Sequence, residues 1–181
     1  MEVKVKIAIS AGHTPNRPGA KKGLITEYGL TSAVVGDLIY RLQKAGHEAW
    51  IIGASTNSKQ IQEINNLHCN CGLELHFNSF VSQDMFGTEV LHADSKNGQK
   101  LAQCIQSKLV EKLKTKDRGV KLGHYQQNVR KPIISILTDT NCPFVVPEPL
   151  FLSNNEDLLK IDIQLISLAL FEGFESYQHL I

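Results

Sequence analysis

VKVKIAIS (residues 3–10) and EYGLTSAVVGDLIYRLQKA (residues 27–45) begin an alternation of strand and helix patterns. The first segment alternates and then becomes apolar, which predicts a strand that runs into the core. In the second segment an apolar residue recurs every four positions from Leu30 to Leu42, which predicts a helix with one buried face. Gly46 stands where a helix C-terminal glycine is expected. Together they predict a strand–loop–helix unit, with a Gly/Pro-rich loop over residues 11–26.

The alternation continues to the end of the chain. We predict further helices over residues 57–70, 96–113 and 155–178. We predict further strands in HEAWIIGA (47–54), CGLELHFN (71–78), GTEVLHA (87–93), KPIISILTDT (131–140) and CPFVVPEPLFLSN (142–154). Helices of this length suit the crossovers that parallel strands need. The pattern therefore predicts one α/β domain over residues 1–181, a three-layer fold with a twisted, mostly parallel sheet and helices on both faces.

Composition and charge exclude several classes of function. The chain has 181 residues, with 19 basic against 18 acidic side chains, so it lacks the basic excess typical of nucleic-acid binding. The basic run from Lys112 to Arg118 is interleaved with acidic residues, and we interpret it as a solvated helix end. No apolar stretch approaches the roughly 18 residues of a membrane span, so we expect no stable membrane insertion. Neither G-x-G-x-x-G nor G-x4-G-K-[ST] occurs, which argues against a nucleotide-binding protein.

The four cysteines and the N-terminus bear on the compartment. Cys69 and Cys71 are one residue apart, which matches neither a C-x2-C redox motif nor a usual zinc knuckle. A metal cluster with the adjacent His68 is one alternative, and buried free thiols in a reducing compartment are the other, which we favour. The segment MEVKVKIAIS lacks the features of a secretory signal. We therefore expect a protein that is made in the cytoplasm. We also expect it to be a monomer.

Four polar residues, distant in sequence, are predicted to meet at one edge of the sheet. His13 follows the first strand, His76 and Glu148 end later strands, and Glu27 begins the first helix. Functional groups in open α/β sheets gather beyond the carboxyl ends of the strands. Two histidines and a glutamate are a known ligand set for catalytic zinc, and a further carboxylate could transfer the proton. Each residue also has a simpler interpretation when taken singly. His13 could be a turn residue and His76 a core histidine. Glu27 could be an acid favoured at a helix N-terminus, and Glu148 could be an exposed loop charge.

Five segments carry a family resemblance that covers nearly the whole chain. In their order and spacing they resemble the zinc-dependent N-acetylmuramoyl-L-alanine amidases of the amidase-3 type. The segments are GHTPNRPGA (12–20), TEYGLTSAV (26–34), LELHFNSF (73–80), GTEVLH (87–92) and VVPEPLFLSN (145–154).

The resemblance implies a cofactor, a substrate and a reaction. It assigns a Zn²⁺ ion to His13, Glu27 and His76, and it gives Glu148 the position of the catalytic glutamate. The implied substrate is peptidoglycan, in which zinc-activated water would cleave the amide between N-acetylmuramic acid and L-alanine.

The resemblance also implies residues around the substrate. Asn78 matches the asparagine of an H-x-N segment, Arg118 belongs to an R-G-V stretch, and His124 follows it in a loop that faces substrate in the family. The chain departs from the family at Glu74, where a small residue is usual. Strand alternation points Glu74 to the same side as His76, where it could support that ligand.

The biological setting is predicted from what the sequence lacks. With neither an export signal nor a separate wall-binding domain in view, we expect a phage or prophage endolysin that acts at the cell wall after release. A catalytic fragment of a bacterial autolysin is one alternative. An amidase-fold module that binds peptidoglycan with weakened catalysis is another, and the prolines on both sides of Glu148 favour it.

Overall fold

The computed structural model describes residues 4–53, 56–123 and 134–180. The described strands are β1 (Lys6–Ala11), β2 (Lys21–Lys22), β3 (Ile25–Thr26), β4 (Glu48–Ile51), β5 (Cys71–Leu75), β6 (Thr88–His92), β7 (Asp117–Leu122) and β8 (Phe144–Glu148). The described helices are α1 (Glu27–Lys44), α2 (Asn57–Leu67), α3 (Lys96–Leu113), α4 (Ser135–Thr138), α5 (Asn155–Leu158) and α6 (Ile163–Gln178).

Six of the strands form one mixed sheet in the order β4-β1-β5-β8-β6-β7. The first four are parallel to one another, β6 is antiparallel to β8, and β7 is parallel to β6. The predicted mostly parallel sheet is thereby confirmed. Because β1, β5 and β8 are adjacent and parallel, their carboxyl ends lie together at one edge. The short strands β2 and β3 form a hairpin in the loop between β1 and α1.

Helices cover both faces of this sheet, which confirms the predicted three layers. On one face α1, α3 and α6 pack their apolar sides on the strands, with Leu38, Leu109 and Leu170 fully buried. On the other face α2 and α4 contribute Ile64 and Ile136 to a smaller cluster. No helix in the described part of the chain combines the length and the apolarity needed to cross a bilayer.

Two predicted elements were wrong. Within the predicted strand 131–140, Ser135–Thr138 forms the helical turn α4, which buries the consecutive residues Ile136 and Leu137 in the smaller cluster. The predicted helix 155–178 is two helices, because the side chain of Asp162 caps a new helix by accepting from the backbone N–H of Leu165 (3.0 Å).

The basic run from Lys112 to Arg118 covers the end of α3, as predicted, and also the first residues of a strand that was not predicted. Helix α3 stops at Leu113, and Lys114 takes a left-handed conformation (φ 48°) that terminates it. The chain then enters β7, which pairs with β6 at the edge of the sheet. Arg118 is consequently placed beside β6.

Candidate metal centre

The loop after β1 holds His13 at the carboxyl edge of the sheet. The backbone N–H of Gly12 donates to the carbonyl of Leu75 (2.8 Å), and the hydroxyl of Thr31 donates to the Gly12 carbonyl (3.2 Å). His13 itself has a positive φ of 70°, a left-handed conformation that few non-glycine residues adopt. The chain turns sharply there and leaves the His13 ring facing the start of α1.

The start of α1 fixes the carboxylate of Glu27. The Thr26 side chain caps the helix by accepting from the backbone N–H of Gly29 (3.1 Å), so Glu27 lies in the first turn. Its side chain is only 5% exposed. The backbone N–H groups of Ala20 and Phe77 donate to its two oxygens, at 3.0 and 3.1 Å. These hydrogen bonds therefore orient both carboxylate oxygens in the metal-free chain.

The side chains of His13, Glu27 and His76 lie together at the carboxyl edge of the sheet, as predicted from the order of strands and helices. His13 Nε2 lies 2.9 Å from Glu27 Oε2, and His76 Nδ1 lies 3.0 Å from Glu27 Oε1. The two imidazole rings are 5.0 Å apart and steeply inclined, at 75°. One potential ligand atom from each residue falls within 4.8 Å of the others, and these three residues are the group of potential metal ligands found in the described part of the chain. Its donor set of two imidazoles and one carboxylate fits zinc.

Two glycines leave the room in which these side chains meet. A Cβ atom on Gly12 would lie 2.5 Å from His76 Cε1. A Cβ atom on Gly19 would lie 2.4 Å from Glu27 Oε2 and 2.5 Å from His13 Cδ2, and Gly19 also has a positive φ of 73°. Any larger residue at either position would displace a candidate ligand, so the backbone itself shapes the site for this cluster.

Burial and hydrogen bonding set the charges of the cluster. Burial alone would raise the pKa of Glu27, but hydrogen bonds from His76 and from the backbone of Ala20 and Phe77 hold this pKa below its usual value. Burial alone would lower the pKa of His76, but its hydrogen bonds to Glu27 and Glu74 raise this pKa to about 10. At neutral pH the metal-free cluster therefore holds an imidazolium between two carboxylates.

Glu148 ends β8 next to the strand end that carries His76. The backbone N–H of His76 donates to the carbonyl of Pro147 (3.0 Å), which links the two strand ends. The amide nitrogen of Asn78 donates to Glu148 Oε2 (2.5 Å) and to Glu89 Oε1 (2.9 Å). Glu89 and Glu148 stand opposite each other in the antiparallel β6–β8 pair, so one amide bridges two carboxylates.

Two cations compensate the buried charge of Glu89. Arg118 Nε and Lys121 Nζ each lie 2.5 Å from Glu89 Oε2, and the Arg118 guanidinium stacks 4.9 Å above the Phe151 ring. Burial would raise the pKa of Glu89, but the hydrogen bonds from Lys121 and Arg118 lower it. Glu89 and Lys121 were not predicted as site residues from the sequence, although Glu89 is the glutamate of the GTEVLH segment. A contact of Arg118 with substrate stays a prediction.

The other residues predicted from the sequence are His124, two of the cysteines and the prolines on both sides of Glu148. His124 lies outside the described residues. Cys69 and Cys71 are buried and free, as predicted, and no metal cluster among the described residues includes them. The carbonyls of the two prolines around Glu148 both accept hydrogen bonds at the site edge, Pro147 from His76 and Pro149 from the Thr88 hydroxyl (2.6 Å).

Comparison with known proteins agrees with this geometry. Residues 7–164 match the family model Amidase_3, described as N-acetylmuramoyl-L-alanine amidase. The chain belongs to this amidase family. It is therefore an N-acetylmuramoyl-L-alanine amidase, a hydrolase of peptidoglycan, and the resemblance found in the sequence is confirmed.

Individual relatives of the amidase extend over nearly its full length. YqiI of Bacillus subtilis (strain 168) is 26% identical over 182 residues, covering 94% of this chain and 84% of that protein. The amidase AmiC2 of Nostoc punctiforme superposes with a TM-score of 0.86 at 17% identity, covering 99% of each chain, which supports the fold. The catalytic domain of the CD27L endolysin targeting Clostridia difficile gives a TM-score of 0.78 at 25% identity, with 95% and 97% covered.

Proposed function

We propose that this amidase is zinc-dependent and that His13, Glu27 and His76 are its ligands. The observation that carries the proposal is the convergence of their three donor atoms within 4.8 Å at the carboxyl edge of the sheet. The glycines at positions 12 and 19 support it, because a side chain at either position would overlap the candidate ligands. When bound, zinc would lower the pKa of a water molecule to about 7 and polarise the scissile carbonyl.

Glu148 acts as the proton-transfer group in this proposal. Water adds to the lactyl carbonyl carbon of the muramic acid, and the Glu148 carboxylate accepts the proton that the water loses. When the carbon–nitrogen bond breaks, Glu148 returns this proton to the departing nitrogen of L-alanine. The products are a carboxylic acid on the lactyl group of the muramic acid and an amine on the stem peptide. At neutral pH the proton of this acid passes to the amine, which gives a carboxylate and an ammonium group, so atoms and charge balance.

Asn78 orients Glu148 for this role. Its amide nitrogen has two hydrogens, of which Glu148 takes one and Glu89 the other. Its carbonyl oxygen accepts from the backbone N–H of Ser79 (2.9 Å), so the amide cannot rotate without losing a hydrogen bond. We place Asn78 beside the reacting groups and keep Arg118 and His124 as proposed substrate contacts.

The test combines metal analysis with product analysis. Elemental analysis of the purified protein is expected to give one zinc per chain, and incubation with peptidoglycan is expected to release stem peptides that begin with a free L-alanine amine. Removing the metal with a chelator should abolish release, and adding zinc should restore it. A metal-free protein that cleaves at the full rate would refute the zinc proposal.

Replacing Gly19 with alanine is expected to lower zinc affinity about 10- to 100-fold, the range for changes that displace metal ligands indirectly. The new Cβ would overlap Glu27 Oε2 and the His13 ring. Gly23→Ala is the matched control, because Gly23 also has a positive φ (59°) but its Cβ would meet no atom within 4 Å. Competition with a chromophoric chelator measures both affinities. If zinc affinity fell equally in both variants, the cause would be backbone strain and not displacement of the candidate ligands.

Zinc binding at pH 7 is expected to release about one proton per site. In the metal-free chain His76 has a pKa of about 10 and is protonated, whereas the Glu27 carboxyl, whose pKa is lowered, has no proton to lose. Apparent zinc affinity should therefore rise about tenfold per pH unit above neutrality and level off near the His76 pKa. Calorimetric titrations in buffers of different ionisation enthalpy measure the released proton. A binding heat independent of the buffer would contradict it.

For the biological setting we propose an endolysin that acts as a monomer at the cell wall. Its 25% identity to the CD27L endolysin catalytic domain supports this setting. The second candidate is a bacterial wall-remodelling amidase, and the similarity to YqiI of Bacillus subtilis supports only its bacterial origin. A lysin should clear intact or permeabilised host cells within minutes, whereas a remodelling enzyme should only degrade purified walls. Membership of the amidase family favours either enzyme over a binding module without catalysis.

A further inference from the structure

Three polar side chains from different elements meet behind His76, and the proposed reaction uses none of them. They are Ser10 in β1, Gln60 in α2 and Glu74 in β5. Ser10 is fully buried, Gln60 is 7% exposed and the Glu74 side chain is 16% exposed. Glu74 Oε2 accepts from Gln60 Nε2 (2.6 Å) and from the Ser10 hydroxyl (3.3 Å). Its other oxygen, Oε1, lies 3.1 Å from His76 Nε2.

The two nitrogens of the His76 ring therefore have different surroundings. Nδ1 faces Glu27 inside the ligand cluster, at 3.0 Å from Oε1. Nε2 faces Glu74 on the other side of the ring. A carboxylate can only accept a hydrogen bond, so in the metal-free imidazolium both nitrogens carry a proton and each donates to one carboxylate. If Nδ1 gives up its proton to act as a ligand beside Glu27, the Glu74 contact requires the remaining proton on Nε2. In a neutral ring that proton leaves Nδ1 with the free lone pair.

We propose that Glu74 is a positioning residue that holds the proton of His76 on Nε2 and so makes Nδ1 the nitrogen that binds zinc. The inference rests on the proposed zinc site and adds to it the atom that ligates and the residue that selects this atom. Carboxylates that accept from the remote nitrogen of a ligating histidine orient the ring and strengthen its binding.

Gln60 and Ser10 make this placement specific. Ser10 stands directly opposite Glu74 in the parallel β1–β5 pair, and α2 supplies Gln60 from the face that it covers. Both donate to Oε2, so Oε1 is the oxygen left to face His76. A carboxylate buried to this degree is costly without partners, and these three contacts supply them. The arrangement is a supported carboxylate rather than a charge at the surface.

The experiment compares Glu74→Leu, which removes the acceptor, with Glu74→Gln, which keeps an acceptor oxygen of the same reach. Nitrogen-15 NMR of zinc-loaded protein reports which His76 nitrogen carries the proton, and chelator competition gives the zinc dissociation constant. We expect Glu74→Leu to weaken zinc binding about 10- to 100-fold and to mix the two tautomers, and Glu74→Gln to recover most of both. Glu63→Leu, which removes an exposed carboxylate from the same helix as Gln60, is the control for net charge.

A second variant, Gln60→Met, loosens Glu74 without altering it and keeps the test available if Glu74→Leu does not fold. It should weaken zinc binding less than Glu74→Leu and in the same direction. Wild-type protein that binds zinc through His76 Nε2, or a Glu74→Leu variant with unchanged tautomer and affinity, would overturn this inference and leave the zinc proposal intact. Wild-type protein that binds no zinc would overturn both.

Discussion

Replacing Glu148 with glutamine is expected to lower kcat for stem-peptide release by about 10²- to 10⁴-fold, the usual contribution of a general acid–base group. Glutamine keeps the size of the side chain and can still accept the hydrogen bond from Asn78. It cannot accept the proton of the attacking water, so the loss is confined to the chemical step. KM and zinc content should stay at the wild-type values, because Glu148 is not part of the ligand cluster.

Two measurements separate this role from a structural one. Single-turnover release of stem peptide gives the chemical rate, and elemental analysis gives the zinc per chain. Glu156→Gln is the control, since Glu156 is an exposed glutamate in α5, a few residues farther along the same chain segment. A Glu148→Gln variant with full activity and full zinc would remove Glu148 from the mechanism. A variant that loses zinc would place Glu148 among the ligands.

The long helices could be predicted from the sequence because their signals are local. The apolar period of α1 and α3 is strong, and both begin after a capping residue, Thr26 and Ser95, whose side chain accepts from a backbone N–H three residues on. The four-residue helix α4 has no such period. Its Ile-Ser-Ile pattern over 134–136 resembles a strand, and only packing against the sheet makes Ile136 and Leu137 bury together.

Strand β7 could not be predicted from the sequence, because it has no local signal. Its sequence, DRGVKL, is charged and partly exposed, because the strand lies at the edge of the sheet and buries little of either face. It forms a strand because its backbone pairs with β6, and no residue pattern within DRGVKL predicts this pairing. Arg118 and Lys121 reach Glu89 only through that pairing, so the sequence could not predict this network.

The convergence of the candidate ligands could be predicted for a topological reason. Helical connections imply parallel strands, and parallel neighbours place His13, His76 and Glu148 at one edge wherever they stand in the sequence. Period-two alternation predicted that Glu74 and His76 share a side, and the structure brings them into contact. The bridge from Glu148 to Glu89 depends on β6 being antiparallel to β8, which the alternation did not predict.

Replacing Glu27 with glutamine is expected to weaken zinc binding by more than the roughly 100-fold cost of losing a supporting residue, and to lower activity in proportion to zinc occupancy. The amide has one acceptor oxygen, whereas Glu27 accepts from two backbone N–H groups, on Ala20 and Phe77, and contacts two imidazoles. One of the buried donors would face an NH₂ group. An unmade hydrogen bond of this kind costs about 1–3 kcal/mol, so the metal-free variant should also melt at a lower temperature.

The pH dependence of metal-free stability distinguishes loss of the ion pair from a general packing defect. The pKa of His76 is raised to about 10 by Glu27 and Glu74, so this stabilisation is fully present below the unfolded pKa of about 6.5 and is lost as the pH rises through 10. Metal-free wild type should therefore lose stability between pH 7 and 10, and Glu27→Gln should lose less. Glu175→Gln is the control, because it removes the carboxylate charge from the remote His47–Glu175 pair (2.7 Å) and should leave zinc binding unchanged. Parallel melting curves for Glu27→Gln and wild type across this range would exclude the ion pair as the source of the stability difference.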